Sequence, residues 1–105
     1  MRHGEIRWYR FVAPDKRRPV LVLTRNSALE FFNEVTIAPI TTTIRNIPTE
    51  VRIGPAEGVA RESAINLDHL QTVPRRRIGT VLGILGPALM ADVRTALLFA
   101  LGFRE

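Results

Sequence analysis

Pro19-Val20-Leu21-Val22-Leu23 is the stretch on which the fold turns. A strand with water on one face alternates apolar and polar residues, whereas one that is apolar at every position is covered on both faces. The run therefore predicts a central strand, with Pro19 at its start, where no ladder donor is lost. Upstream, Ala13-Pro14-Asp15-Lys16-Arg17-Arg18 is a turn-forming break, and Pro14-Asp15 is its strongest signal. Gly4–Val12 (GEIRWYRFV) precedes it as a first strand, with Ile6, Trp8 and Arg10 on one face and Arg7, Tyr9 and Phe11 on the other.

Downstream, Asn26–Phe32 predicts a single helical turn, with Asn26 or Ser27 as N-cap and Glu30 near N3. Glu34–Thr41 reads as a third strand, with Pro39 making its far end an edge or a bulge. After a polar connection, Thr42–Pro48, which carries Arg45, Thr49–Ile53 alternates as a fourth strand. Gly54–Gly58 is loop, Ser63–Leu70 a fifth strand and Pro74–Arg77 a basic turn. Ile78–Leu85 is a sixth strand, with Gly79 and Gly83 as bends. From Pro87 the period changes: Leu89, Met90, Val93, Leu97 and Leu101 recur at helical spacing until Gly102 stops them. The fold class is α+β, mainly antiparallel, with about six strands and a C-terminal helix in one domain spanning 1–105.

Composition narrows the function. The 105 residues are 46% hydrophobic and 24% charged, ordinary for a globular domain. Ala96–Leu101 is the longest apolar run, far below the roughly 20 residues of a membrane span. An acid at Glu5 with no apolar segment behind it speaks against a secretory signal, so a cytoplasmic location is expected. The absence of cysteine excludes a disulfide scaffold, a cysteine nucleophile and thiolate metal sites. His3 and His69 are too few and too isolated for a histidine zinc centre, so no metal and no cofactor is expected. The net charge is +5, and every basic residue except Lys16 is arginine. Such a surface favours phosphate-bearing partners, although a GC-rich genome also replaces lysine with arginine throughout.

Standard catalytic patterns are absent: no Gly-rich phosphate loop with its lysine, no GxSxG, no HExxH. Three places carry candidate chemistry. Arg18 stands at the start of the buried run, where a rigid strand would aim its guanidinium; the plain alternative is a surface arginine beside Lys16 and Arg17. Thr41, Thr42 and Thr43 follow Pro39-Ile40 at a strand end, where hydroxyls and freed N–H groups suit a phosphate, or simply the turn. Asp68 is an acid in an otherwise apolar strand, requiring either a salt-bridge partner or a role. On a strand Asn66, Asp68 and Leu70 share one face and Ile65, Leu67 and His69 the other. Asp68 and His69 then cannot serve one pocket unless a bulge intervenes.

Taken in order, Gly4-Glu5-Ile6, Arg18-Pro19-Val20-Leu21-Val22, Ala38-Pro39-Ile40-Thr41-Thr42, Asp68-His69-Leu70-Gln71-Thr72-Val73 and a closing glycine-rich strand before a helix resemble the MazF/PemK family of toxin endoribonucleases. The resemblance covers roughly residues 4–103. It implies an SH3-like barrel with a C-terminal helix, a homodimer, and cleavage of single-stranded RNA without metal, blocked by a cognate antitoxin. By the family pattern, Arg18 and Thr41 carry catalysis, and Asp68 falls on the family's acid. Arg17, Thr42, Thr43, Arg45, Asn66 and His69 are the expected RNA contacts. The stretch Ala13–Arg17 is shorter than the family's loop, His69 replaces the usual glutamine, and Asn66 stands where some members carry arginine.

The chemistry implied is attack by the substrate's own 2′-hydroxyl, giving a 2′,3′-cyclic phosphate and a 5′-hydroxyl. Arg18 suits the charge that builds on the phosphorane, and the Thr41 hydroxyl suits a donor to a non-bridging oxygen or a group that orients the 2′-hydroxyl. A guanidinium seldom releases its proton, so the base is Asp68, or His69 if a bulge turns it inward. Two other readings share the fold: a CcdB-like gyrase poison, which does not need the arginine–threonine pair, and a module that only binds RNA or antitoxin.

Overall fold

The computed structural model describes residues 1–11 and 16–104. Among them are seven strands, β1 (Glu5–Arg10), β2 (Arg17–Val22), β3 (Glu34–Thr41), β4 (Glu50–Ile53), β5 (Ser63–Asn66), β6 (Gln71–Pro74) and β7 (Ile78–Ile84), and two helices, α1 (Asn26–Leu29) and α2 (Pro87–Ala100). The expected turn at Ala13-Pro14-Asp15 lies outside the described residues.

The sheet is antiparallel and curled, in the order β4-β5-β3-β2-β1-β7, with β6 pairing β3. β2 is central, as its unbroken apolar run predicts. Val20, Leu21 and Val22 are fully buried; Leu21 enters one core while Val20 and Val22 enter another on the opposite face. The first core gathers Ile6, Ile40, Val51, Ile53, Ile65 and Leu67 under α2, and the second packs Tyr9, Leu29, Val35, Ile37 and Val73 together. Burial of a side chain of this kind contributes about 1.5–3 kcal/mol, so one strand anchors both halves.

The fifth strand departs from its expected course. The predicted run Ser63–Leu70 is β5 followed by a 3-10 turn, Leu67–His69, and then a further strand, β6. Along β3, Ile40 faces Ile65 while Ile37 faces Gln71, so three steps on β3 correspond to six on its partner. The turn is looped out of the ladder. Its cause is local: the Asn66 carboxamide oxygen accepts from Asp68 N at 2.9 Å, an Asx-type turn competing with the strand. Pro39, which has no N–H to offer, falls between the β6-paired and β5-paired parts of β3, so the expected bulge lies on the partner.

Both predicted bends in β7 mark register shifts against β1: Ile6 faces Gly83 but Arg7 faces Val81, and Tyr9 faces Ile78. Gly83 also packs against Glu57 and Gly58, where a Cβ would strike the Glu57 main-chain oxygen. The cap of α1 differs from expectation. Arg25 precedes the helix without a side-chain cap, because Asn26 Oδ1 is taken by His3 N at 2.8 Å.

α2 begins at Pro87 and buries Val93 and Ala96, with Leu89, Met90 and Leu97 against the first core. It ends in paired reverse bonds, Gly102 N to Phe99 O at 3.1 Å and Phe103 N to Leu98 O at 2.8 Å, with Gly102 at φ +83°. Leu101 has left the helical stripe and stands 55% exposed. The basic turn Arg75–Arg77 is not wholly solvated either: Arg75 Nη1 donates to Leu29 O and fastens α1 to the sheet.

Candidate nucleic-acid site

Strand register builds the site. Glu50 faces Asn66 and Val51 faces Ile65; across β3 and β5, Ile40 faces Ile65 and Thr41 faces Ala64. Alternation sends Ile40, Val51 and Ile65 into the first core and turns Thr41, Glu50 and Asn66 to the other face. On the far edge of β3, Val20 faces Pro39. Carrying that register two residues outward sets Arg18 beside Thr41.

These side chains line a cavity of about 250 Å³ together with Pro39, Ile40, Thr43, Arg45 and His69. Six of the expected residues therefore meet: Arg18, Thr41, Thr43, Arg45, Asn66 and His69. Arg18 and His69 are exposed, Thr41 is half-buried and Asn66 is buried. Thr41 Oγ1 accepts from Thr43 N at 3.0 Å, which leaves its proton free to donate into the cavity.

His69 comes inward because of the looped-out turn. Its Nδ1 lies 3.1 Å from Asn66 Nδ2. Since Asn66 Oδ1 already accepts from Asp68 N, the amide presents its NH₂ to the ring, so Nδ1 accepts and the neutral imidazole carries its proton on Nε2.

Glu50 is a member of the site that the sequence reading did not single out. Its Oε1 accepts from Arg45 N at 2.9 Å and Asn46 N at 3.2 Å, holding the connection after β3 with Asn46 at φ +56°. Its Oε2 is buried without a hydrogen-bond partner among the described residues. The clean alternation of Thr49–Ile53 was the available signal: with Val51 and Ile53 inward, Glu50 faces away from the core, and the pairing through β5 then sets it on the side of Thr41.

Three expected residues lie elsewhere. Asp68 does not line the cavity; it is exposed on the 3-10 turn and accepts from Thr49 Oγ1 at 2.7 Å. The pairing that the sequence left open, Asp68 or His69, is thereby separated in space, and the residue facing the cavity is His69. Arg17 points to the opposite face of β2 from Arg18 and stacks on Trp8, 4.7 Å from its ring centroid. Thr42 lines a separate apolar cleft with Trp8, Pro19, Val59 and Leu82.

The cavity thus offers two guanidiniums, a hydroxyl donor, an imidazole N–H and one carboxylate among the described residues. Fixed cations and donors around a small polar cleft suit an anionic oxygen cluster such as a phosphodiester. Among the described residues no group of three or more His, Asp or Glu is placed to hold a metal ion, and no helix is long and apolar enough to cross a membrane.

Comparison with known proteins identifies the family and the fold. Residues 2–101 match the PemK-like, MazF-like toxin family of type II toxin-antitoxin systems. Endoribonuclease MazF3 of Mycobacterium tuberculosis is 41% identical over 86 residues, covering 78% of this chain and 84% of the relative. The Mycobacterium tuberculosis toxin MazF-mt6 superposes with a TM-score of 0.88 at 33% identity, covering 96% of this chain and 99% of the other. A mycobacterial endoribonuclease in complex with its cognate antitoxin gives 0.85 at 30% identity, covering 100% of this chain and 98% of the other. With nearly its whole length matched and its curled sheet and C-terminal helix shared, the chain belongs to the PemK/MazF family of type II toxins.

Proposed function

We propose that this protein is a metal-independent endoribonuclease that cuts single-stranded RNA at short sequences by attack of the 2′-hydroxyl. The observation that carries the reading is the meeting of Arg18 and Thr41 across neighbouring strands, with His69 and Glu50 on the same cavity. The O2′–P bond forms as the P–O5′ bond breaks, leaving a 2′,3′-cyclic phosphate and a 5′-hydroxyl. Arg18 grips the non-bridging oxygens as charge builds on them, and Arg45 adds a second cation. The free Thr41 hydroxyl donates to one of those oxygens.

The carboxylate is the group that can exchange a proton, and the imidazole presents an N–H donor. Glu50 takes the proton of the 2′-hydroxyl and that proton passes through water to the leaving 5′-oxygen, while the His69 Nε2–H, with Nδ1 engaged by Asn66, donates a hydrogen bond to the oxygen as charge builds on it. Asp68, the acid favoured by family pattern, acts in this scheme through position only, as the residue whose N–H orients Asn66.

The protein acts in the cytoplasm as a homodimer held inactive by an antitoxin. Val81 and Ile84 on edge strand β7, with Phe99 and Leu101 on and after α2, are exposed apolar residues of the kind a second copy would cover.

The test is incubation with a long unstructured RNA in EDTA, with 5′-end mapping and Arg18→Ala alongside. Discrete cuts at a recurring sequence, absent in the variant, are expected. Intact RNA that shifts on a gel would overturn cleavage in favour of binding alone, and neither cut nor shift would direct attention to gyrase.

A further inference from the structure

On the face of the sheet opposite Arg18, the β1–β2 hairpin carries Trp8, Arg10 and Arg17 side by side, since Arg10 faces Arg17 and Trp8 faces Pro19. The turn before β7 brings Arg76 and Arg77 to the same cleft, which Gly79 keeps open beside Trp8. Four guanidiniums surround this cleft, and no carboxylate lines it among the described residues. The Arg17 guanidinium carbon lies 4.7 Å from the centroid of the Trp8 ring, so the cleft presents a cation–π surface as well as charge.

A second, apolar cleft lies between this one and the cavity of Arg18. Trp8 also lines the neighbouring apolar cleft, which ends at Thr42, while Thr41 and Thr43 on either side of Thr42 line the Arg18 cavity. The threonine run is thus a rim with the reacting site on one side and a route to Trp8 on the other.

From this geometry we infer a second nucleic-acid subsite, in which an unpaired base stacks at Trp8–Arg17 and its flanking phosphates engage Arg10, Arg76 and Arg77. The strand is the one whose reacting phosphate sits at Arg18 and Thr41, so the inference rests on the ribonuclease reading above. An aromatic ring with a guanidinium beside it matches a base, and sequence-tolerant stacking beside backbone cations is how single strands are held outside the specifying site. An acidic polypeptide would use the charge and leave the stack unexplained.

Trp8 is the only tryptophan of the chain, so its fluorescence reports the two clefts that it lines. The probes are single-stranded 2′-deoxy oligonucleotides of random sequence, which cannot be cut, of about four and about twelve nucleotides. The longer probe should quench Trp8 and bind at least about tenfold more tightly than the shorter. In an Arg10→Ala/Arg76→Ala variant the length advantage should vanish, and the salt dependence of log Kd should fall by about 1.4, the value for two lost phosphate contacts. Both arginines are exposed, and circular dichroism with a thermal melt checks that the variant folds. Arg76→Lys, which keeps the charge without the planar fork, should restore part of the affinity.

Binding of the long probe without a Trp8 change, or with the length advantage intact in the double variant, would overturn the subsite while leaving cleavage at Arg18 standing. Quenching by polyglutamate but not by the oligonucleotide would overturn it in favour of an acidic peptide. A variant that turns monomeric where the parent is dimeric would assign the cleft to contact between copies. Quenching by RNA in a protein that cuts nothing would keep the subsite and overturn the ribonuclease.

Discussion

The two ends of β2 are built for opposite purposes. From Val20 to Val22 every side chain is sealed from water, each in one of two cores. Three and two residues earlier, Arg17 and Arg18 stand exposed and point to opposite faces, one onto Trp8 and the other into the cavity beside Thr41. The strand changes from scaffold to site within a few residues, and its rigidity is what aims the guanidiniums. A positioned cation on a packed strand loses less conformational entropy when a phosphate arrives than the same cation on a loop.

Substitution at the inner end should be the most damaging to the fold. Leu21→Ala should lower unfolding free energy by about 2–5 kcal/mol, read by urea denaturation, because it removes a fully buried side chain beneath α2. A loss under about 1 kcal/mol would mean the first core closes around the cavity and the division along β2 is weaker than drawn.

Arg18→Ala tests the outer end. Cleavage should fall about 10²–10³-fold or more, with stability within about 0.5 kcal/mol of the parent. Arg18→Lys should recover little, since a point charge does not reproduce the fork. A variant that melts several degrees lower would show that Arg18 belongs to the scaffold after all.

The same contrast divides the neighbours Asp68 and His69. His69→Ala removes the imidazole donor from the cavity and should slow cleavage about 10²-fold. Asp68→Asn, which keeps an acceptor for Thr49 and its own N–H to Asn66, should alter the rate by no more than about twofold. The reverse ranking would reinstate Asp68 as the site acid and place His69 outside the chemistry.

These two residues also mark the limit of what was legible in the sequence. Periodicity exposes whatever repeats, so the burial of Val20–Val22, the alternation of β4 and the helical stripe up to Leu97 could be read directly. A single looped-out turn does not repeat. It rests on one hydrogen bond from Asp68 N to the Asn66 side chain, and asparagine in an apolar run carries that possibility without announcing it. Reading Ser63–Leu70 as one strand therefore put Asn66 and His69 on opposite faces, whereas they are hydrogen-bonded partners. Glu50 escaped for a different reason. The alternation of β4 gave its face, but its place in the site comes from standing opposite Asn66 across β4 and β5, a register that no local pattern encodes.

The smallest expected effect separates charge from shape at the opposite edge of the sheet. Burial alone would raise the Glu5 carboxyl above its usual range, but hydrogen bonds from Arg7 Nε at 2.9 Å and Arg2 N at 2.8 Å, with the Arg7 charge, hold it below. A carboxylate whose folded pKa is depressed stabilises the fold fully above its unfolded value, about 4.3, and loses that contribution as pH falls through the folded value. Glu5→Gln should therefore cost about 0.5–1 kcal/mol at neutral pH, since both side chains retain some exposure. The gap between parent and variant should close below about pH 4. If it stayed constant down to strong acid, Glu5 would be acting by shape and hydrogen bonding alone, and the ion pair with Arg7 would contribute nothing to the edge where β1 meets β7.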